Sequence, residues 1–247
     1  VRIDILTLFP EMFTGPLDES ILRQAREKGL IDIRLTDIRN FAADRHRTAD
    51  DYQYGGGSGM VMKPEPIFEA VESALGEGER EAAAVVLLSA RGRLFDQVLA
   101  DELALMKRIV LICGRYKGVD ERVTALVTHE VSIGDFVISG GELAAMVVVD
   151  AVARLIPGVL GDIESAESDS FQDGLLGPPS YTRPEVYRGV RVPEVLTSGN
   201  HEAIRLWRRR AALVATRERR PDLLESACLS DEDLSILREL EIEEAED

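Results

Sequence analysis

Three glycine-rich turns follow short apolar runs: Ser89-Ala90-Arg91-Gly92-Arg93, Gly114-Arg115-Tyr116-Lys117-Gly118, and Ile133-Gly134-Asp135-Phe136-Val137-Ile138-Ser139-Gly140-Gly141-Glu142. Glycine lets a backbone approach a ligand that a Cβ would hold off, and turns at the carboxyl ends of parallel strands are where α/β proteins bind. None of the three fits G-x-G-x-x-G or G-x-x-x-x-G-K-[ST], so neither dinucleotide nor P-loop chemistry is indicated. Each turn alone reads as tight-turn chemistry; three at one sheet edge predict a small-molecule pocket. Asp44 to Met60 is polar and glycine-rich and predicts a long surface loop, with binding and disorder as competing readings. Its His46 has no second His or Cys nearby, so an exposed or hydrogen-bonding role is expected. Arg154 stands near the end of the apolar run Glu142–Ile156. It is either a cation at a helix C-terminus or a nearly buried guanidinium that needs an anionic partner. Asp169 lies among serines with Glu164, Glu167 and Asp173, and residue type singles out none of the four.

The elements around these residues alternate. Arg2–Phe9 and Ile31–Leu35 read as strands, and Ser20–Lys28 as a helix stopped by Gly29. A helix is expected over Glu65–Leu75 after Pro64. Ala84–Leu88 and Ile109–Cys113 fit central strands of a parallel sheet, with helical spacing over Leu94–Met106 between them. Glu142–Ile156 is apolar almost all round and predicts a helix buried on most sides. Strands alternating with helices predict an α/β domain. Gly158–Pro179 changes character, with Asp162, Asp169, Gly174, Gly177 and neighbouring acids and serines reading as a polar linker, and Pro193–Arg219 and Asp231–Glu244 look helical. The expected organisation is a sheet domain over 1–158, a mobile linker over 159–179, and a small all-α domain over 180–247.

Hydrophobic residues at 45% and charged ones at 30% describe a globular chain with a real core. No apolar stretch approaches 18 residues, and the first residues carry no secretory layout, so no membrane role is expected. Two cysteines make neither a disulfide framework nor a zinc site, which points to a reducing, cytoplasmic compartment. The net charge of −16 is uneven. From Asp222 onward eleven acids face the single Arg238, whereas Arg205 to Arg220 holds seven arginines around Trp207. Two readings fit that basic stretch: tracking a phosphate backbone, or pairing with the acidic tail.

Several ordered motifs together resemble the bacterial tRNA (guanine-N(1)-)-methyltransferase family, from Arg2 to about Leu224. They are Leu8-Phe9-Pro10-Glu11-Met12-Phe13, Asp44-Arg45-His46-Arg47-Thr48, Tyr54-Gly55-Gly56-Gly57, Cys113-Gly114-Arg115-Tyr116, Ser132-Ile133-Gly134-Asp135, Gly140-Gly141-Glu142, Asp169-Ser170-Phe171, Tyr181-Thr182-Arg183-Pro184 and Ser198-Gly199-Asn200-His201. The resemblance implies a SPOUT-class α/β domain with a deep trefoil knot, an exception to the rule against threaded loops. It implies S-adenosylmethionine as methyl donor, the guanine at tRNA position 37 as acceptor, and a homodimer whose active site lies at the subunit interface. It assigns cofactor contacts to Gly114 and to Ile133, Gly134, Asp135, Phe136, Val137 and Ile138, with Ser89, Tyr116, Gly140 and Gly141 beside them. It makes Asp169 the general base and Arg154 its partner in catalysis.

This sequence departs from the family pattern at four positions. Lys117 stands where a glutamate is usual, Phe136 where a tyrosine is, and Ala90 and Ala144 where prolines are. Lys117 matters most, because it sets a cation where a carboxylate could face the cofactor or an assisting Mg²⁺. No metal-ligating residues are expected, and metal dependence stays open.

Overall fold

The central strands are the most apolar runs in the chain. The computed structural model describes residues 1–76, 82–160 and 169–246. Five parallel strands form one sheet: β1 (Arg2–Thr7), β2 (Asp32–Asp37), β5 (Ala83–Leu94), β6 (Arg108–Cys113) and β7 (His129–Ser132). Their order across the sheet is β2-β1-β6-β5-β7. A short antiparallel hairpin, β3 (Asp50–Tyr52) with β4 (Met60–Met62), stands apart from it.

Strand residues point alternately to the two faces, and each face has its own core. Ile3, Ile5, Val86, Leu88, Leu111 and Cys113 pack under α1 (Ser20–Glu27), α3 (Gln97–Ala104) and α4 (Glu142–Leu155). Leu6, Val85, Leu87, Val110 and Ile112 pack on the other side against α2 (Pro64–Leu75). A sheet covered on both faces is rigid, and its strand ends hold the turns between them.

Two elements differ from their sequence-based bounds for local reasons. β5 runs to Leu94 because the chain bulges after Leu88 and pairs again with Val131 and Ser132 through Arg93 and Leu94. Gly92 makes this possible, since a Cβ there would lie 2.3 Å from the Val131 nitrogen. α3 begins only at Gln97 because the Asp96 carboxylate accepts the Leu99 N–H at 2.9 Å, an N-cap.

The chain divides into two compact units, Val1–Gly161 and Asp162–Asp247. The second contains a hairpin, β8 (Val186–Tyr187) with β9 (Val190–Arg191), and the helices α5 (Glu194–Thr197), α6 (His201–Arg219), α7 (Pro221–Ser226) and α8 (Asp231–Glu246). Its regular elements among the described residues are these helices and that hairpin, which the all-α expectation omits. The single helix expected over Pro193–Arg219 is two, because Gly199 takes φ +73° and the Asn200 side chain caps α6 through the Ala203 N–H. The linker expectation also needs correcting where the chain is described. Leu175 is fully buried with Leu213, Ile236 and Leu240, so residues 169–179 are part of the second unit rather than a free tether. Glu164 and Glu167 lie outside the described residues.

Candidate functional site

The first unit carries a cleft of about 360 Å³ at the carboxyl ends of β5, β6 and β7, within the usual size range for a small-molecule site. All three glycine turns line it. Ser89, Gly114, Tyr116, Ile133, Gly134, Phe136, Val137, Ile138, Gly140 and Gly141 face it together. Asp135 does not: its neighbours on both sides line the cleft, while its own side chain is exposed outside the lining. A turn that presents backbone inward sends some side chains outward.

The turns interlock. The Gly141 N–H donates to the Gly114 carbonyl at 2.8 Å, and Arg115 bridges to Gly140. A Cβ on Gly141 would stand 2.8 Å from the Cα of Cys113, so only glycine fits. Glu142, 1% exposed, starts α4 and holds these pieces together. It accepts the Thr7 hydroxyl at 2.8 Å and the Arg115 guanidinium at 3.1 Å, and Arg115 stacks 4.1 Å over the Phe9 ring. A buried carboxylate needs such partners. Burial, with Glu142 beside it, pushes the Cys113 thiol up, which keeps it protonated.

Sequence reasoning missed several lining residues. Arg91 pairs with Glu121 at 2.8 Å and stands 3.6 Å from Glu130, and all three face the cleft. One Glu130 carboxylate oxygen is buried without a hydrogen-bond partner. Arg91 sits in the first glycine turn, so its position was legible; Glu121 and Glu130 carried no local signal. Lys117 lines the cleft too, with its stem against Gly59 and its N–H donating to the Met60 carbonyl at 3.0 Å. The polar loop from Asp44 to Met60 is thus tied to the second glycine turn through β4. Its His46 is exposed, and the Thr48 N–H and hydroxyl hold the Asp44 carboxyl below its ordinary value.

Arg154 is exposed in the last turn of α4, as a helix-end cation is, and not the nearly buried guanidinium of the second reading. The reason is helical phase: Leu143, Val147, Asp150 and Arg154 fall on one stripe of α4, turned away from the core. Leu143 and Val147 are each about half exposed, so this stripe is unusually apolar for a free surface.

The second unit has its own cleft, of about 760 Å³. Asp169 and Ser170 open it, Tyr181 and Arg183 form part of its wall, and Arg208 reaches it from α6. Tyr181 and Trp207 pack ring to ring, their centroids 6.3 Å apart. Among the described residues no cluster of His, Cys, Asp and Glu could hold a metal ion, and no helix is long and apolar enough to cross a membrane.

A parallel sheet with a backbone-lined cleft at its carboxyl edge defines an α/β protein, and that edge is where such folds place small-ligand sites. Comparison with known proteins gives that class its particular form. The family described as tRNA (Guanine-1)-methyltransferase TrmD matches residues 1–226. Curated relatives called tRNA (guanine-N(1)-)-methyltransferase are 59% identical in Geobacter metallireducens, over 98% of both chains, and 56% identical in Dictyoglomus turgidum, also over 98% of both. A third, in Moorella thermoacetica, is 56% identical over 100% of this chain and 99% of its own. The chain belongs to this tRNA methyltransferase family, whose fold class is SPOUT.

Proposed function

We propose that the protein transfers a methyl group from S-adenosylmethionine to N(1) of the guanine at tRNA position 37, beside the anticodon. The observation that carries this reading is the coincidence of family membership with the cleft: the motif turns of the family are the turns that line it. The cleft suits the donor in size, and at Gly114, Gly140 and Gly141 any Cβ would crowd neighbouring atoms at 3.2 Å or less. Backbone N–H and C=O groups at such a surface can read an adenine edge and an amino acid tail.

S-adenosylmethionine supplies an activated methyl on a sulfonium. The chain's own residues prepare the acceptor. Guanine N(1) carries a proton and is a poor nucleophile until the proton leaves. The Asp169 carboxylate takes it, and the Arg154 guanidinium stabilises the negative charge that moves onto O(6). The knotted path of the family belongs to the same proposal and rests on family membership. So does a homodimer in which two copies complete each site: the apolar stripe of α4 carries Arg154, and pairing with a second copy would cover it. Lys117 puts a cation in the turn where a carboxylate is usual, so metal dependence is read by running the transfer assay with and without Mg²⁺. The compartment is the cytoplasm, where both free cysteines, Cys113 and Cys228, stay reduced.

The test is a methyl-transfer assay on tRNA transcripts with G or A at position 37, read by mass spectrometry of the nucleosides. The expected product is 1-methylguanine at position 37 of the first transcript and none in the second. A methyl at another nucleotide would assign the chain a different RNA target, and absence of S-adenosylmethionine binding by calorimetry would make it an RNA-binding module.

A further inference from the structure

One guanidinium in the second unit holds two carboxylates from distant parts of the chain. Arg209 on α6 donates through Nη1 to Asp173 and through Nε and Nη2 to Asp233 of α8, the last bond at 2.8 Å. Asp233 is 1% exposed and also accepts the Ser230 N–H and hydroxyl, each at 2.8 Å. This arrangement holds the Asp233 carboxyl well below the usual carboxylate range. Asp173 belongs to a closed turn that begins one residue after Asp169. The Ser170 hydroxyl accepts the Gly177 N–H at 2.8 Å, the Phe171 N–H donates to the Leu175 carbonyl at 2.7 Å, and the other Asp173 oxygen accepts the Leu175 N–H at 3.2 Å. The turn is fastened to the helices at three points: Arg209, the buried Leu175, and the Leu176 N–H donating to the buried Thr216 hydroxyl at 2.9 Å.

We infer that Arg209 is a positioning residue for methyl transfer, clamping the Asp173 turn to the C-terminal helix so that the Asp169 carboxylate is held where it can take the guanine proton. The inference rests on Asp169 being the base. A base works only within hydrogen-bond reach of its proton, and a misplacement of about 1 Å costs on the order of 10²-fold. The acidic helix is therefore part of the catalytic apparatus at one remove. Its other ion pairs do not share this role. Arg205 binds Glu232 at 2.7 Å and Arg210 binds Glu243, yet neither touches the turn. The planar fork is what the site requires, because an ammonium at position 209 cannot span both carboxylates in fixed geometry.

Asp173 is half exposed, so Asp173→Asn removes the turn-side contact from a chain that still folds. With tRNA as substrate, Asp173→Asn and Arg209→Lys should each lower the single-turnover rate by about tenfold. The tRNA KM and the calorimetric affinity for S-adenosylmethionine should stay within about twofold, and amides 170–177 should exchange faster. Glu243→Gln, which breaks a tail ion pair outside the clamp, should keep the parent rate. An Asp173→Asn enzyme with the parent rate, or unchanged exchange in the turn, overturns the inference. Asp169→Asn, run in parallel, separates the two failures. If it abolishes transfer while Asp173→Asn does not, the clamp alone is wrong; if it too retains the rate, the base assignment falls.

Discussion

The two units build a cleft by opposite means. In the first, the walls are backbone turns set on a five-strand sheet with a core on each face, and a buried ion pair, Arg115 with Glu142, ties turns to one another. In the second, a small core centres on the buried Leu175, Leu213, Ile236 and Leu240, and charged pairs between α6, α8 and the Asp173 turn do the fastening. Apolar packing has no group to titrate, whereas paired charges weaken with acid and are screened by added salt. The sheet unit should therefore keep its shape under conditions that loosen the helical one, and Asp169, the proposed base, belongs to the more sensitive of the two.

The contrast can be broken most sharply at the chemistry. Asp169→Asn removes the proton acceptor and nothing from the sheet cleft. Its single-turnover rate should fall by about 10²-fold or more while S-adenosylmethionine affinity stays near the parent value. Retention of a tenth of the rate would exclude the assignment. Next in size is the sheet cleft itself. Gly141→Val forces a side chain against the Cys113 backbone and should cost roughly 1–3 kcal/mol of stability, with at least about a tenfold loss of cofactor affinity by calorimetry. Undiminished affinity would place the ligand elsewhere.

Acid should then separate the units. Arg205 holds Glu202 and Glu232 low, and Arg209 does the same for Asp233. Folded carboxyls of depressed pKa add stability that is complete above the unfolded value of about 4 and drains away as pH falls through the folded ones. Trp207, the single tryptophan, lies in α6, so its fluorescence reports the helical unit alone. Its emission should shift on acidification below about pH 4 while sheet circular dichroism persists; simultaneous loss would refute the contrast. The smallest effect concerns Arg208, which faces the second cleft, unlike Arg209 and Arg210, which are occupied by α8. Arg208→Ala should reduce the salt slope of tRNA binding by about 0.7–0.9, one phosphate contact, and an unaltered slope would remove it from the RNA surface.

Much of the first unit was legible in the chain. Val85 to Leu88 and Ile109 to Cys113 are too uniformly apolar for anything but strands covered on both faces, and glycines at their ends mark where the backbone turns. The pocket followed from three such turns at one edge. Arg154 kept two readings in the sequence because apolar residues alone do not tell which side of a helix faces the core, and α4 turns an apolar stripe outward. In the basic stretch of α6, pairing with the tail accounts for Arg205, Arg209 and Arg210, while Arg208 lines the cleft of the second unit, where the salt-slope measurement tests the phosphate reading.

Strand and helix identity, the capped helix starts and the glycine turns act over a few residues, so the chain announces them itself. The motif residues, taken in order, likewise identify the family without coordinates. Which carboxylates Arg209 holds is a different matter. Asp173 precedes it by 36 residues and Asp233 follows it by 24, and nothing in their spacing singles them out from the many other acids of the second unit. The same holds for Glu142, which joins Thr7 to Arg115 across the sheet. Such pairings arise only when folding brings remote segments to one place, because a charge is satisfied by whatever the packed chain sets within about 3 Å of it.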